Sequence, residues 1–282
     1  MHICRSVADT RAAIAALRAQ GKSIGFVPTM GFLHQGHLSL VARAQQAASA
    51  SVVSIFVNPT QFGEATDLDA YPRDEKRDLA LLRDAGVDVV FLPDVATMYP
   101  EGSETIVETT RLANMLHGKV RPGHFRGVTS VVARLFNIVQ PDVAVFGQKD
   151  YQQLQVIRRM VSDLHFPIDI IGGPTVREPD GLAMSSRNVR LSADDRAAAV
   201  VLSRSLNAAE EAARQPGATV DDIRAAIANT IQAEPRAALT GLDTVAAKSL
   251  ENLSGPITQP VAVMISVQFS DILLIDQRVI QA

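Results

Sequence analysis

Two histidines three residues apart, His34 and His37, stand in a glycine-bearing turn that reads Thr29-Met30-Gly31-Phe32-Leu33-His34-Gln35-Gly36-His37. The apolar run 24–27 before it reads as a buried strand. Pro28 is expected to stop that strand, because proline has no N–H to give a ladder. Leu38, Leu40, Val41 and Ala44 then recur at helical spacing. Strand, glycine turn and helix together aim backbone N–H groups and the positive end of a helix at an anion. Three familiar uses of such a turn each lack a required residue here. Zinc would need a His-Glu-x-x-His pattern or a third ligand, and Cys4 is the chain's one cysteine. A Walker A loop would need Lys and Ser or Thr where His37 and Leu38 stand, and no Gly-x-Gly-x-x-Gly is present. What remains places both imidazoles and the helix N-terminus around a phosphate chain; the plain alternative is a pair of surface loop histidines.

Other polar clusters sit where a chain of this kind would use them. Asn58-Pro59-Thr60-Gln61 follows a β-branched run at 51–57, and Gly147-Gln148-Lys149-Asp150 follows another apolar run at 142–146. Taken alone, Lys149 reads as a solvated lysine, Asp150 as the N-cap of the next helix, and either of Gln61 and Gln153 as a surface residue. Met184-Ser185-Ser186-Arg187 offers hydroxyls and a guanidinium suited to phosphates, or else an ordinary polar linker. Arg121, His124 and Arg126 are weaker candidates for phosphate or lid contacts.

The elements that must position these groups follow from the apolar periods. Helices are expected at 8–20, through the stretch to residue 48 after the first turn, and at 74–84, 128–139 and 151–164. Strands are expected at 24–27, 51–57, 87–92, 142–146 and 168–171, with a short one at 105–109. Buried strands alternating with helices imply a parallel sheet with right-handed crossovers. Such sheets bind ligands outside the carboxyl ends of their strands, and the turn 29–37, the segment 58–61 and the segment 147–150 all fall there. From residue 176 the texture changes. A polar stretch at 177–188 leads to alanine-rich helices at 193–215, with Ser192 and Asp195 as a capping pair, and at 220–233. Strand-like runs follow at 261–269 and 272–275. The expected organisation is an α/β domain over 1–175 and a smaller C-terminal α+β domain over 176–282.

Composition narrows the partners. The 282 residues are 47% apolar and 20% charged with a formal net charge of −3, so there is no basic footprint for nucleic acid. One cysteine excludes an internal disulfide framework. The first residues carry no apolar signal region, and no run approaches the roughly 18 apolar residues of a membrane helix. A cytoplasmic protein without a membrane partner is the expectation.

His34-Gln35-Gly36-His37 resembles the "HIGH" signature of the nucleotidyl-transferring α/β superfamily that includes class I aminoacyl-tRNA synthetases. Within it, VPTMGFLHQGH, SIFVNPTQF, YPRD, RPGHFRGV, LFNIVQPDVAVFGQKDYQQL and GLAMSSRN occur in one order along nearly the whole chain. In this they resemble the pantothenate synthetase (pantoate–β-alanine ligase) family. Two departures stand out. Gln148 replaces the family's usual Glu, and 270–276 lacks an expected glycine and arginine.

The resemblance implies a Rossmann-like domain with a HIGH-type nucleotide site, and ATP-dependent condensation of pantoate with β-alanine through a pantoyl adenylate. It implies ATP contacts from Pro28, Thr29, Met30, Gly31, Phe32, Leu33, His34, Gln35, Gly36 and His37. Further ATP contacts are implied from Gly147, Gln148, Lys149, Asp150, Val176, Met184, Ser185, Ser186 and Arg187. His37, His34 and Lys149 would be catalytic, and Met30, Asn58, Gln61 and Gln153 would hold pantoate or β-alanine. Mg²⁺ would arrive on the ATP phosphates rather than in a dedicated cage, and the protein would be a homodimer. A related enzyme that leaves the nucleotide in its product, and a nucleotide-binding regulatory module, are the alternatives. The second has no use for a pantoate-binding set.

Overall fold

The computed structural model describes residues 1–63 and 65–281. The chain folds as two compact units, Met1–Gly147 with Gln152–Pro174, and Gln148–Tyr151 with Thr175–Ala282.

In the first unit the strands are β1 (His2–Cys4), β2 (Ile24–Thr29), β3 (Ala50–Ile55), β4 (Val89–Phe91), β5 (Val143–Gly147) and β6 (Asp169–Gly173). They form one sheet in the order β1-β4-β3-β2-β5-β6, and every pairing is parallel. The longer helices are α1 (Val7–Ala19), α2 (Gln35–Ala47), α4 (Glu75–Asp84), α7 (His124–Val139) and α8 (Tyr151–Asp163), with short pieces α3 (Ala65–Asp69), α5 (Val95–Met98) and α6 (His117–Val120). The sheet is buried on both faces, and the period of two shows which residue goes where. Phe26, Val52, Val89 and Ala144 stand in one register row and join the core that holds Phe136 and Phe146. One residue on, Val27, Val53 and Val90 form the next row and join the opposite core with Val41, Ala44 and Leu82. The chain winds one way from β2 through β3 to β4 and the other way from β5 to β6. The switch point, where such sheets open a crevice, therefore lies between β2 and β5.

Several expected boundaries move, each for a local reason. Pro28 does not stop its strand: β2 runs to Thr29, with Pro28 in register with Ser54. Pairing toward β5 occurs only at Gly25 and Phe26, so one ladder has already ended before the missing N–H. The segment 105–109 is not a strand. Val107 N donates to Ser130 Oγ at 3.0 Å, and its carbonyl accepts from the Thr129 hydroxyl, so side chains of α7 take the place of a neighbouring strand. Helix α7 begins at His124, not 128, because Gly123 at φ 80° turns the chain into it. Asp74 caps α4 by accepting from Arg77 N at 3.0 Å.

The second unit contains α9 (Ala193–Ala198), α10 (Val201–Ala213), α11 (Val220–Gln232), β7 (Ala238–Ala246), β8 (Val261–Phe269) and β9 (Ile272–Ile280). The expected helix at 193–215 is thus two pieces. The three strands form an antiparallel sheet in the order β7-β8-β9, and Leu202, Leu206, Ile223 and Ile227 share its core with Val263, Ile265 and Val267. Strand β9 extends five residues beyond the expected end at 275, and β7 is absent from the expected strands. Gly241 and Asp243 disfavour a strand reading of ALTGLDTVA, but pairing with β8 overrides them, with an irregularity between Leu239 and Gly241.

Candidate active site

The turn after β2 is tied down at its start by Thr29. Its Oγ1 donates to Ser54 O at 2.8 Å and accepts from Gly31 N at 3.2 Å. Gly31 (φ 81°) and Phe32 (φ 49°) then take the left-handed region, and Leu33 is fully buried. The Phe32 and Leu33 amides donate to the two carboxylate oxygens of Asp78, each at 2.7 Å. Asp78 lies on α4 and is 1% exposed. Burial pushes its pKa up, and the two backbone donors oppose that rise.

His34 is the N-cap of α2, and the two imidazoles cap it reciprocally. Gly36 N donates to His34 Nδ1 at 3.1 Å, and His34 N donates to His37 Nδ1 at 3.3 Å. The ring centroids are 4.1 Å apart. With both Nδ1 atoms accepting, each neutral ring carries its proton on Nε2, a tautomer assigned from the hydrogen-bond network. Helix α2 has no acidic residue in its first turn, so nothing there cancels the positive end of the helix. Gln35 is exposed, while His34, Gly36 and His37 are half-buried.

After β3 the chain forms a 3-10 turn, Pro59–Gln61, capped by Asn58. Asn58 is 1% exposed. Its Oδ1 accepts from the Thr60 hydroxyl at 3.0 Å and from Tyr99 Oη at 2.9 Å, and its Nδ2 donates to Gln61 Oε1 at 3.0 Å and to Gly127 O at 3.2 Å. Its carboxamide is thus taken up within the protein, and its geometric role is to support Gln61. Gln61 Nε2 donates to Met30 Sδ at 3.3 Å, which brings the two sequence candidates into contact. His124 Nδ1 lies 2.8 Å from Gln61 O, so this residue of RPGHFRGV supports Gln61 from the backbone side. Gly127 is needed for close approach: a Cβ there would stand 2.5 Å from Thr60 O. Arg126 is exposed and Arg121 half-buried. Gln153 is half-buried on α8, whereas its neighbour Gln152 is buried and spends its carboxamide on Leu112 O, Met115 O and His117 N.

Within the second unit, Gln148–Asp150 form a 3-10 turn with Lys149 half-buried and Asp150 exposed. Lys149, Ser185, Asn188 and Asp276 line one small cavity. The stretch 177–188 has more order than its sequence suggested. Met184 N donates to Val176 O at 2.9 Å, and Arg177 and Ala183 form an antiparallel bridge, so 176–184 is a hairpin. Arg177 closes it, donating to Gly181 O at 3.1 Å and pairing with buried Asp276 of β9 through contacts of 2.6 and 2.9 Å. Beyond the hairpin, Arg187 N donates to Ser185 Oγ at 3.2 Å, and Ser186 is buried.

Sequence reasoning passed over Asp78, Tyr99, Gly127, Arg177 and Asp276. For Asp78 a signal existed: it stands four residues before Leu82 on the buried face of α4, and an acid on an apolar stripe is uncommon enough to ask what it bonds. Among the described residues, no group of three or more His, Cys, Asp or Glu is placed to hold a metal ion. No helix among them is long and apolar enough to cross a membrane.

A parallel sheet that delivers a helix N-terminus beside its switch point has the Rossmann-like α/β arrangement, in which such a terminus suits a nucleotide's phosphates. Comparison with known proteins narrows the class. A family model described as pantoate-beta-alanine ligase matches residues 2–279. A pantothenate synthetase of Agrobacterium fabrum is 53% identical over 287 residues, covering 99% of this chain and 96% of that protein. The crystal structure of pantothenate synthetase from Thermus thermophilus superposes with a TM-score of 0.93 at 47% identity, covering 99% of each chain. That of a pantoate-beta-alanine ligase from Francisella tularensis, complexed with beta-gamma ATP and beta-alanine, superposes with a TM-score of 0.81 at 32% identity, covering 99% of this chain and 97% of that one. The chain belongs to the pantoate–β-alanine ligase family. It is an ATP-using ligase that forms pantothenate.

Proposed function

We propose that the chain activates pantoate as an acyl adenylate before an amine attacks it. A carboxylate is a poor acyl donor because its leaving group would be oxide. A pantoate carboxylate oxygen therefore attacks the α-phosphorus of ATP, the bond from that phosphorus to the β-phosphate bridging oxygen breaks, and pyrophosphate leaves. The β-alanine nitrogen then attacks the acyl carbon of pantoyl adenylate, AMP leaves with the bridging oxygen, and the amine gives up a proton. The Francisella relative, complexed with beta-gamma ATP and beta-alanine, supports both as substrates here.

The observation that carries this reading is the reciprocal cap of His34 and His37. It fixes both imidazoles with Nε2–H as the donor edge at the N-terminus of a helix whose own first turn carries no acidic residue. That is an electrostatic device for charge that builds up on a departing pyrophosphate. Transfer at phosphorus asks little covalent chemistry of a protein and much positioning. In this account His37, with His34, donates to the phosphates, and Lys149 holds an α-phosphate oxygen. Pro28 to Phe32, His34 to His37 and Gly147 to Asp150 contact ATP, with Asp150 on the ribose hydroxyls; Leu33, expected among these contacts, is fully buried with its amide on Asp78 and supports the turn from within. The backbone of Val176 meets adenine, and Met184, Ser185, Ser186 and Arg187 take the β- and γ-phosphates. Gln61 and Gln153 hold the hydroxyls and carboxylate of pantoate, Met30 offers its gem-dimethyl group an apolar wall, and Asn58 keeps Gln61 in place. Contacts of this kind discriminate strongly, since an analogue lacking a hydroxyl leaves a site amide unpaired.

The nucleotide enters as its Mg²⁺ complex, a hard cation that keeps phosphate oxygens and water as ligands. The enzyme works in the cytoplasm as a homodimer, a state the family resemblance supports and light scattering tests. The adenylate step itself is tested by isotope exchange between pyrophosphate and ATP. Exchange should require pantoate and proceed without β-alanine; folded, active enzyme that shows none would contradict the step.

A further inference from the structure

Helix α4 (Glu75–Asp84) carries a carboxylate on its buried face. Asp78 is 1% exposed and shares that face with Leu82. A buried carboxylate is tolerated when donors satisfy its oxygens, and the donors here are the amides of Phe32 and Leu33, each at 2.7 Å. Those amides belong to the middle of the nucleotide turn, immediately before His34. The turn is not self-supporting at that point. Phe32, which is not glycine, sits at φ 49°, a region that L-residues enter at an energetic cost. Gly31 before it is at φ 81°, and a Cβ there would stand 3.0 Å from Asp78 Oδ2. Helix α4 grips the same residue a second time, with the Arg77 guanidinium 5.3 Å from the Phe32 ring centroid.

We infer that Asp78 is a positioning residue for nucleotide activation, a two-point clamp that sets the Phe32-Leu33 backbone and with it the aim of the His34 and His37 cap. The inference rests on the adenylate reading of that turn. Asp78 acts through the backbone and touches no reacting atom. Both carboxylate oxygens are needed, because each accepts from a different amide. An asparagine of nearly the same shape keeps one acceptor and turns an NH₂ group toward the other N–H, so Asp78→Asn removes half of the clamp and little volume. Misplacing reacting groups by about 1 Å is enough to cost about 100-fold in rate.

The test compares Asp78→Asn with the wild-type enzyme in pantoate-dependent pyrophosphate–ATP exchange, alongside far-UV circular dichroism and thermal melting. The expected result is an exchange kcat about 100-fold lower, with the pantoate KM within about twofold and the fold retained. A role in stability alone would lower the melting temperature and leave kcat of the folded fraction untouched. A folded variant with kcat within about twofold of wild type overturns the inference. Amide hydrogen exchange on the wild-type enzyme is the second measurement, and it needs no variant to fold. Phe32 and Leu33 amides should exchange slowly although they lie in a turn; fast exchange at both removes the clamp. Wild-type enzyme without pyrophosphate exchange would count against the adenylate reading rather than the clamp, which the amide measurement then decides.

Discussion

Asn58 lies beneath Gln61 and holds its side chain: Asn58 Nδ2 donates to Gln61 Oε1 at 3.0 Å, while Asn58 Oδ1 is itself pinned by Tyr99 and Thr60. The bond decides which end of the Gln61 carboxamide does what, leaving its NH₂ group on the Met30 side. Gln61→Ala should raise the pantoate KM about tenfold or more, the effect of leaving a substrate polar group unpaired, with the ATP KM nearly unchanged. Asn58→Ala should move the same constant in the same direction, although Asn58 is buried. Initial-rate kinetics at saturating ATP checks both, and an unchanged pantoate KM in Gln61→Ala would remove that residue from pantoate binding.

His37 and His34 share one cap and one donor edge. If His37 donates to charge that develops as pyrophosphate leaves, His37→Ala should lower the rate of adenylate formation by about 100-fold or more. Pantoate binding should weaken far less. Comparable losses in rate and in binding would instead describe a ground-state contact. The tautomer has its own readout: ¹⁵N shifts of the two rings should show Nδ1 as the unprotonated acceptor in the neutral form, and protonated Nδ1 atoms would contradict the reciprocal cap.

Acid stability should be governed by carboxylates held below their ordinary value: Asp94 of the first unit, lowered by its hydrogen bonds from Thr97, and three of the second unit. Ser192 and Ser270 hydroxyls, then Arg236, hold Asp195 below its ordinary value of 3.8. Asp180 and Asp222 are likewise lowered, by Arg196 and by Thr219 respectively. A lowered folded-state pKa means that the unfolded chain takes up the proton first. The stabilisation is therefore present above the ordinary value and is lost as pH falls through the folded-state values. Asp78, whose pKa burial raises, runs the other way: its contribution is greatest at low pH and declines as pH rises through its folded value. Asp195→Asn should make the acid limb of the melting-temperature profile shallower than that of the wild type. Parallel limbs would contradict the assignment.

How much of this was legible before the fold depended on whether a residue's environment is local. The strands around Val27, Val53 and Val145 were readable because both faces are buried, which leaves unbroken apolar runs. The His34-Gln35-Gly36-His37 turn was readable because its chemistry and its helix start lie in one stretch of chain. Asp78 was readable only in part: its spacing to Leu82 marks the buried face of the helix, but an acid in a charged helix such as EKRDLALLRD reads as solvated until the turn that donates to it is in place. Asn58 invited a ligand role from its position at a strand end, and only its neighbours Tyr99, Thr60, Gly127 and Gln61 show it enclosed. Pro28 and Gly241 illustrate the same limit from the side of local propensity. Each breaks a pattern that long-range pairing restores.

The central claim is that the pantoate carboxylate attacks phosphorus and becomes the bridge of an adenylate. It has a direct chemical signature, because the bridging oxygen must depart with AMP when the amine attacks. Pantoate labelled with ¹⁸O in both carboxylate oxygens, turned over once with ATP and β-alanine and read by mass spectrometry, should deliver one ¹⁸O to AMP and none to pyrophosphate. Unlabelled AMP, or label in the pyrophosphate, would contradict the account.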